Sequence, residues 1–265
     1  MRLIYGIFLF ILGACFGSFL CCQARRQHLK ETKSKKLGNR SVCLHCNKQL
    51  KWYDNLPIIS WLLLRGKCRY CQRKIGVAEF VSEVCTALAF VLTGINFDIF
   101  NPDPLSWIIL IITFVFVTIL CFLAIYDGLY GELPSIVLIS AIILSVIILV
   151  FNEVNYLALH PFSLDLVWKP VLSAFILGGL YLILYVVSKG RWVGDGDWIL
   201  GLSIAMAIHE PLLALFVLFV ANLAACLVMA PFIKKGHSKK IYLGPFLVGA
   251  YILVSSCSGF LLSLI

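Results

Sequence analysis

The chain has 265 residues, of which 61% are hydrophobic and 13% charged, with a mean hydropathy of +0.97. Soluble globular proteins carry about 45–50% apolar and about 25% charged residues, so this composition excludes an ordinary water-soluble fold and places most of the chain in lipid. A formal charge of +9 would suit a nucleic-acid partner, but the basic residues are confined to a few loops between apolar runs, with no stripe elsewhere to track a phosphate backbone.

A bilayer crossing takes about 20 apolar residues. Eight apolar segments recur along the chain, at residues 3–22, 78–95, 105–125, 136–151, 171–187, 198–208, 212–233 and 243–264. The pattern predicts an all-α polytopic membrane protein with about eight transmembrane segments. The sixth is too short to cross alone, which is tolerated where a segment packs against protein or lines a polar cavity. In the first segment, Leu12-Gly13-Ala14-Cys15 resembles a lipoprotein cleavage box. Arg25 and Arg26 follow the apolar run instead of preceding it, so a retained first helix is expected. Gly13-x-x-x-Gly17 on that helix is a packing motif that proves nothing about dimers.

Residues 23–77 form the one extended polar stretch. It contains Cys43-x-x-Cys46 and Cys68-x-x-Cys71, separated by 21 residues. Each C-x-x-C turn presents two thiolates, and two such turns suit a tetrahedral zinc site with four cysteine ligands. Disulfides or a redox pair are the alternative, which a reducing cytosol disfavours. His45, inside the first turn, reads as a bystander. Trp52, Tyr53 and Trp61 read as the small core of this module or as residues at the membrane interface. The other seven cysteines (Cys15, Cys21, Cys22, Cys85, Cys121, Cys226 and Cys257) are expected to be buried small hydrophobes.

Beyond the loop, Glu79 and Glu83 fall four residues apart on one helical face, where like charges repel, so one is expected to be protonated or paired with a loop arginine. Ionisable groups in or beside membrane segments are costly and usually functional. Asp127 closes the third segment, and Asp195 and Asp197 stand in Gly194-Asp195-Gly196-Asp197 before the sixth. Two carboxylates that share a proton supply one acid and one base, able to activate a water and polarise a scissile carbonyl. The glycines allow close backbone approach. Helix capping explains Asp197 as well but fails for Asp127, which stands at a helix C-terminus. His209 and Glu210 are expected to cap a turn before Pro211.

Of the 22 basic residues, 20 fall in residues 23–77, at Lys189 and Arg191, or at Lys234, Lys235, Lys239 and Lys240, leaving Arg2 and Lys169. Alternating segments put all these loops on one side, and positive loops stay cytoplasmic. Both termini are then expected outside, with Asp127, Asp195 and Asp197 at the cytoplasmic face. A transporter with acids along an ion path is the competing class. It leaves the cysteine module unexplained, and the chain has no evident inverted repeat.

The motifs also resemble a known family. Gly17-Ser18-Phe19-Leu20, the cysteine loop with Trp52-Tyr53-Asp54-Asn55-Leu56-Pro57 and Leu64-Arg65-Gly66-Lys67, Asp127 followed by Leu133-Pro134, and the G-x-G-D run ending in Asp197 together resemble the type IV prepilin peptidases. The resemblance runs from about Gly17 to Leu202. It implies a membrane aspartic endopeptidase at residues 78–265, behind a first helix at 1–22 and a zinc loop at 23–77. Asp127 and Asp197 would be catalytic and Gly194, Asp195 and Gly196 would support their loop. The substrates would be prepilins or pseudopilins held in the lipid bilayer of a bacterial cell. The family commonly N-methylates its product with S-adenosylmethionine, and Glu83 matches the acidic residue that usually follows its zinc loop, for which the resemblance implies a methyl-transfer or amine-binding role. Departures are Leu44 for a proline, Cys21 for an asparagine, Leu129 and Ser135 for acids, and Ile199 for a lysine. They leave a peptidase without methyltransferase activity as an alternative.

Overall fold

A computed structural model describes residues 2–32, 41–43, 45–95, 97, 104–159, 161, 163–233 and 242–263. Lys33, Lys35, Lys36, Arg40, Leu44, Asn101, His160, Lys234, Lys235, His237, Lys239 and Lys240 lie outside the described residues. Among the described residues, regular structure is helical apart from two isolated β-bridges in the cysteine loop. Six helical stretches are long and apolar enough to span a bilayer: Arg2–Glu31, Val77–Gly94, Leu105–Tyr130, Ser135–Leu157, Asp165–Ser188 and Pro211–Val228. The protein is a multi-pass membrane protein.

Helices stand at all eight expected positions, but two are short. The sixth segment is a helix of 14 residues, Asp195–Ile208, and the eighth begins as one of 13, Gly244–Ser256. At 1.5 Å per residue each reaches about 20 Å, against a hydrocarbon core about 30 Å thick. The eighth was expected to run unbroken to 264. It is interrupted at Cys257, where the hydroxyls of Ser255 and Ser256 bond back to the carbonyls of Ile252 and Leu253.

The chain divides into two compact units, Met1–Gly94 and Ile95–Ile265. In the first, α1 (Arg2–Glu31) and α3 (Val77–Gly94) pack antiparallel. The Gly13-x-x-x-Gly17 motif lies at this contact. A Cβ on Gly13 would stand 2.7 Å from Ala87 Cα, and one on Gly17 would stand 2.6 Å from the Ser82 carbonyl oxygen. The motif therefore serves packing within the chain, where small residues let two backbones touch. Between these helices come the cysteine loop and the short α2 (Ile59–Leu63).

In the second unit, α4 (Pro104–Tyr130) and α5 (Ser135–Leu159) form a hairpin. The N–H of Gly131 donates to the Asp127 carbonyl at 2.7 Å, and Gly131 adopts φ +70°, a left-handed stop to α4 that suits glycine. Leu133-Pro134 then opens α5. The fifth span comprises α6 (Asp165–Ala174), a π-helical turn (Phe175–Gly179) and α7 (Leu180–Ser188). π-turns recur at functional sites, and this one packs on α8 (Asp195–Ile208). A Cβ on Gly178 would lie 3.0 Å from Leu202 Cβ, and one on Gly201 would lie 3.0 Å from the Leu177 carbonyl. α8 also packs on α5, while α10 (Gly244–Ser256) packs on α4 and on α9 (Pro211–Ile233). A terminal helix, α11, covers Ser258–Ser263.

Four of the cysteines expected to be buried are exposed, Cys15, Cys85 and Cys226 on helices and Cys257 at the break between α10 and the last helix. Lipid accounts for this, because an apolar outward face needs no protein cover in a bilayer. Cys21 and Cys121 are buried and Cys22 is partly so.

Candidate active site and metal cluster

Asp127 and Asp197 belong to the same unit and are both buried, at 5% and 8% exposure. Each is held in the same way, through one carboxylate oxygen and one main-chain N–H. Asp197, third residue of α8, accepts from Gly194 at 2.8 Å through Oδ2, so the helix-capping explanation of Asp197 applies. Asp127 lies at the C-terminal end of α4, where a carboxylate faces the negative end of its own helix dipole. The compensation comes from another helix. The N–H of Gly244, first residue of α10, donates to Asp127 Oδ2 at 2.9 Å. The first N–H groups of a helix have no partner within it, and Asp127 satisfies one of them.

Both aspartates thus sit at helix N-termini, Asp197 at its own and Asp127 at a neighbour's. They are near enough for the charge of Asp197 to act on Asp127. Among the described residues the second oxygen, Oδ1, of each has no hydrogen-bond partner. Each carboxylate is therefore fixed by one oxygen and available through the other.

The glycines around them are required by contact. A Cβ on Gly244 would stand 2.8 Å from Asp127 Oδ2, and one on Gly196 would stand 2.6 Å from Leu133 Cβ. The turn carrying Leu133-Pro134 is therefore seated on the first turn of α8. Asp195 is exposed, and its Oδ1 accepts from Trp198 Nε1 at 3.3 Å, tying the loop to its own helix. His209 ends α8 in the left-handed region at φ 49°, as the expected cap, and Glu210 pairs with Lys169 at 2.6 Å.

In the first unit the two cysteine turns are built alike. Cys43 and Cys68 each accept from the fourth residue on, Asn47 and Gln72, at 2.9 Å, and both of those residues are left-handed, at φ 53° and 55°. Cys43 and Cys68 donate in turn to the carbonyls of Lys48 and Arg73, at 3.0 and 2.9 Å. The four sulfurs all lie within 4.8 Å of one another. Cys43 Sγ and Cys71 Sγ are 3.9 Å apart, close to the edge of about 3.8 Å that a tetrahedron with bonds of about 2.3 Å would have. The Arg73 main chain favours the Cys71 thiolate, yet enclosure and the surrounding thiols push that group up to about 11. Sulfurs this close hold several negative charges stably only around a cation, so the donor set fits a metal such as zinc. His45 is exposed and outside the cluster.

The segment between the turns does not make a core from all three of its aromatics. Trp61 stacks on Phe80 of α3, with ring centroids 4.6 Å apart, and Tyr53 lies under the Arg69 guanidinium at 5.1 Å. Trp52 is 77% exposed. Ile58 adopts φ 63°, a rare strained conformation for a β-branched residue, and its N–H donates to Glu83 Oε2 at 2.7 Å. Glu83 is buried, and Glu79 pairs with Arg25, which is the arginine pairing expected of one member of the two.

Residues 11–97, which comprise most of α1, the cysteine loop and α3, match the family described as the bacterial peptidase A24 N-terminal domain. The chain is also similar to several proteins named prepilin leader peptidase/N-methyltransferase. It is 33% identical over 105 residues to a prepilin leader peptidase/N-methyltransferase of Vibrio cholerae, covering 30% of this chain and 42% of the relative. It is 40% identical over 87 residues to one of Myxococcus xanthus, covering 33% and 25%. A Pseudomonas putida enzyme of the same name is 26% identical over 162 residues, covering 60% and 50%. The chain thus spans between a quarter and half the length of these relatives. No solved structure matches it. Asp127 and Asp197 lie beyond the family match, so their pairing rests on the geometry above.

Three contributors went unnoticed in the sequence. Gly244 and Tyr242, which packs over Gly131, carry no motif. Asn222, exposed on α9, donates to the Tyr181 hydroxyl at 2.9 Å, and an amide within an apolar span was the available signal.

Proposed function

We propose that this chain is a membrane aspartic endopeptidase that removes the leader from prepilins or pseudopilins. The observation that carries the reading is the arrangement of Asp127 and Asp197: two buried carboxylates in mutual electrostatic reach, each pinned by one N–H and open at the other oxygen. Repulsion between neighbouring carboxylates favours a state with one proton between them. The ionised member takes a proton from water, and the resulting hydroxide attacks the scissile carbonyl carbon. The protonated member donates to the carbonyl oxygen, giving a tetrahedral intermediate. Its collapse breaks the C–N bond, with a proton passing to the leaving amine.

The confinement of basic residues to alternate loops supports a cytoplasmic dyad with both termini outside. Cysteine probes at Lys35 and His237 should then be shielded in intact cells, and probes at Asn101 and His160 should react. We read the four-cysteine cluster as a structural zinc site held by Cys43, Cys46, Cys68 and Cys71. The names of the relatives support a second activity, N-methylation of the new N-terminus, for which S-adenosylmethionine would supply the methyl group. Glu83, buried and oriented by Ile58, is our candidate residue for that half.

Incubation of the purified protein with a prepilin, followed by mass spectrometry, tests both halves. Loss of the leader mass is expected, with a gain of one methyl on the product if the enzyme is bifunctional. An intact prepilin after incubation with folded, zinc-loaded protein rejects the assignment.

A further inference from the structure

One helical turn along α8 from Asp197, Gly201 leaves room for the ring of Tyr181, whose Cδ2 would lie 3.3 Å from a Cβ there. Residues four apart share a helical face, so Tyr181 lies against the face of α8 that carries Asp197. Tyr181 is 1% exposed and is the second residue of α7, which continues from the π-turn. The Asn222 amide donates to the Tyr181 oxygen at 2.9 Å and to the Leu218 carbonyl at 2.8 Å. The first of these bonds occupies a lone pair of the phenol and leaves its proton unused. Among the described residues that proton has no acceptor, and Asp197 is the carboxylate whose charge reaches the ring. Asn222 is exposed on an apolar span, where an amide is costly, and both its hydrogens are committed, one of them to this phenol.

We propose that Tyr181, aimed by Asn222, is a positioning residue for Asp197, donating its hydroxyl proton to that carboxylate through one bridging water. No direct hydrogen bond joins the two side chains, and one water supplies the missing donor and acceptor. The assignment rests on the reading of Asp197 as catalytic. It adds a tertiary constraint, supplied by α7 and α9, to a carboxylate that its own loop already holds.

The test uses full-length protein in detergent and a synthetic prepilin, with kcat and KM measured from pH 5 to 9 for Tyr181→Phe, Asn222→Leu, the double variant and Asp197→Asn. Tyr181→Phe should lower kcat about tenfold at unchanged KM and move the acid limb of the rate curve to higher pH by up to about one unit, because one hydrogen bond to the ionised form is lost. Asn222→Leu should shift the curve the same way by less, and the double variant should match Tyr181→Phe alone, since the two act in series. A wild-type kcat and pH curve for Tyr181→Phe overturns the proposal. So does a fall in kcat with no movement of the curve, which marks a packing role. If Tyr181→Phe does not fold, the lipid-facing Asn222→Leu decides by the same criterion. The underlying reading fails separately: normal cleavage by Asp197→Asn rejects the dyad, whereas an inactive Asp197→Asn beside an unaltered Tyr181→Phe rejects only the role of Tyr181.

Discussion

The main-chain N–H of Gly244 donates to the carboxylate of Asp127 at 2.9 Å, although 117 residues of sequence separate them. An aspartate that would be misplaced at the end of α4 is thereby made the N-terminal anion of α10. Gly244→Ala would put a methyl 2.8 Å from Asp127 Oδ2, closer than real contacts allow. The variant should retain its helix content by circular dichroism and lose cleavage by about 10²-fold, since small displacements of a catalytic group have costs of that order. Full activity of Gly244→Ala would show that this bond does not place Asp127.

Asp127→Asn and Asp197→Asn should each abolish cleavage while leaving membrane insertion intact, because the amide keeps the shape of the carboxylate and cannot exchange the proton. The expected loss is about 10²–10⁴-fold or more. The two losses should not add if the pair acts as a unit. Asp195→Asn should lose far less, because among the described residues that exposed carboxylate accepts only from Trp198. Cleavage by the parent should be bell-shaped in pH, and methylation of a pre-cleaved substrate should survive both Asn changes if separate residues perform it. Near-normal turnover by Asp127→Asn would falsify the acid–base assignment.

Gly196 and Leu133 should behave as a coupled pair. Gly196→Ala places a methyl 2.6 Å from Leu133 Cβ and should push the first turn of α8, with Asp197, off the α4–α5 turn. Leu133→Gly removes that Cβ together with the Cγ and Cδ carbons that crowd the same site, so the double variant should recover part of the activity lost by Gly196→Ala. A double-mutant cycle measured on cleavage rates checks this. Strict additivity would mean that the contact does not position the loop.

The cysteine cluster should bind about one zinc per chain, by elemental analysis. Cys68→Ser, at the most enclosed of the four cysteines, should release the metal and expose the remaining thiols to alkylating reagents. Absence of zinc together with free reactivity of all four thiols in the parent would remove the metal from the account.

Asp54 ties the middle of the loop to the second cysteine turn. Its carboxylate accepts from Arg69 Nε at 2.7 Å, from the Lys51 N–H at 3.2 Å and from the Tyr70 hydroxyl at 3.3 Å. Enclosure raises its protonation range, but these donors outweigh it and hold the carboxyl below the ordinary value. The native state therefore binds fewer protons than the unfolded state in that window. The stabilisation is complete above the ordinary carboxylate range, about pH 4, and disappears as pH falls through the lowered value. Asp54→Asn should release zinc to a chromogenic chelator faster than the parent at pH 6, and the difference should narrow below about pH 4. An equal release rate at pH 6 would show that Asp54 does not support the module.

Features that depend on neighbours a few residues away were legible along the chain. Apolar runs placed helices at all eight positions, because a backbone in lipid must satisfy its own hydrogen bonds and a helix does so locally. The two C-x-x-C turns gathered their sulfurs because each is a self-contained turn with a left-handed residue after its second cysteine. Asp127, Asp195 and Asp197 were visible as acids at the edges of apolar runs, and Asp197 carried its own cap. Packing between helices was needed to bring Gly244 to Asp127, to set Leu133 against Gly196, and to turn the hydroxyl of Tyr181 with Asn222. The same packing leaves four of the cysteines facing outward and buries the Gly13-x-x-x-Gly17 motif inside the chain. These outcomes depend on where separate helices approach one another. That is set by close contact between distant backbones, and neither hydropathy nor residue spacing along a single helix encodes it.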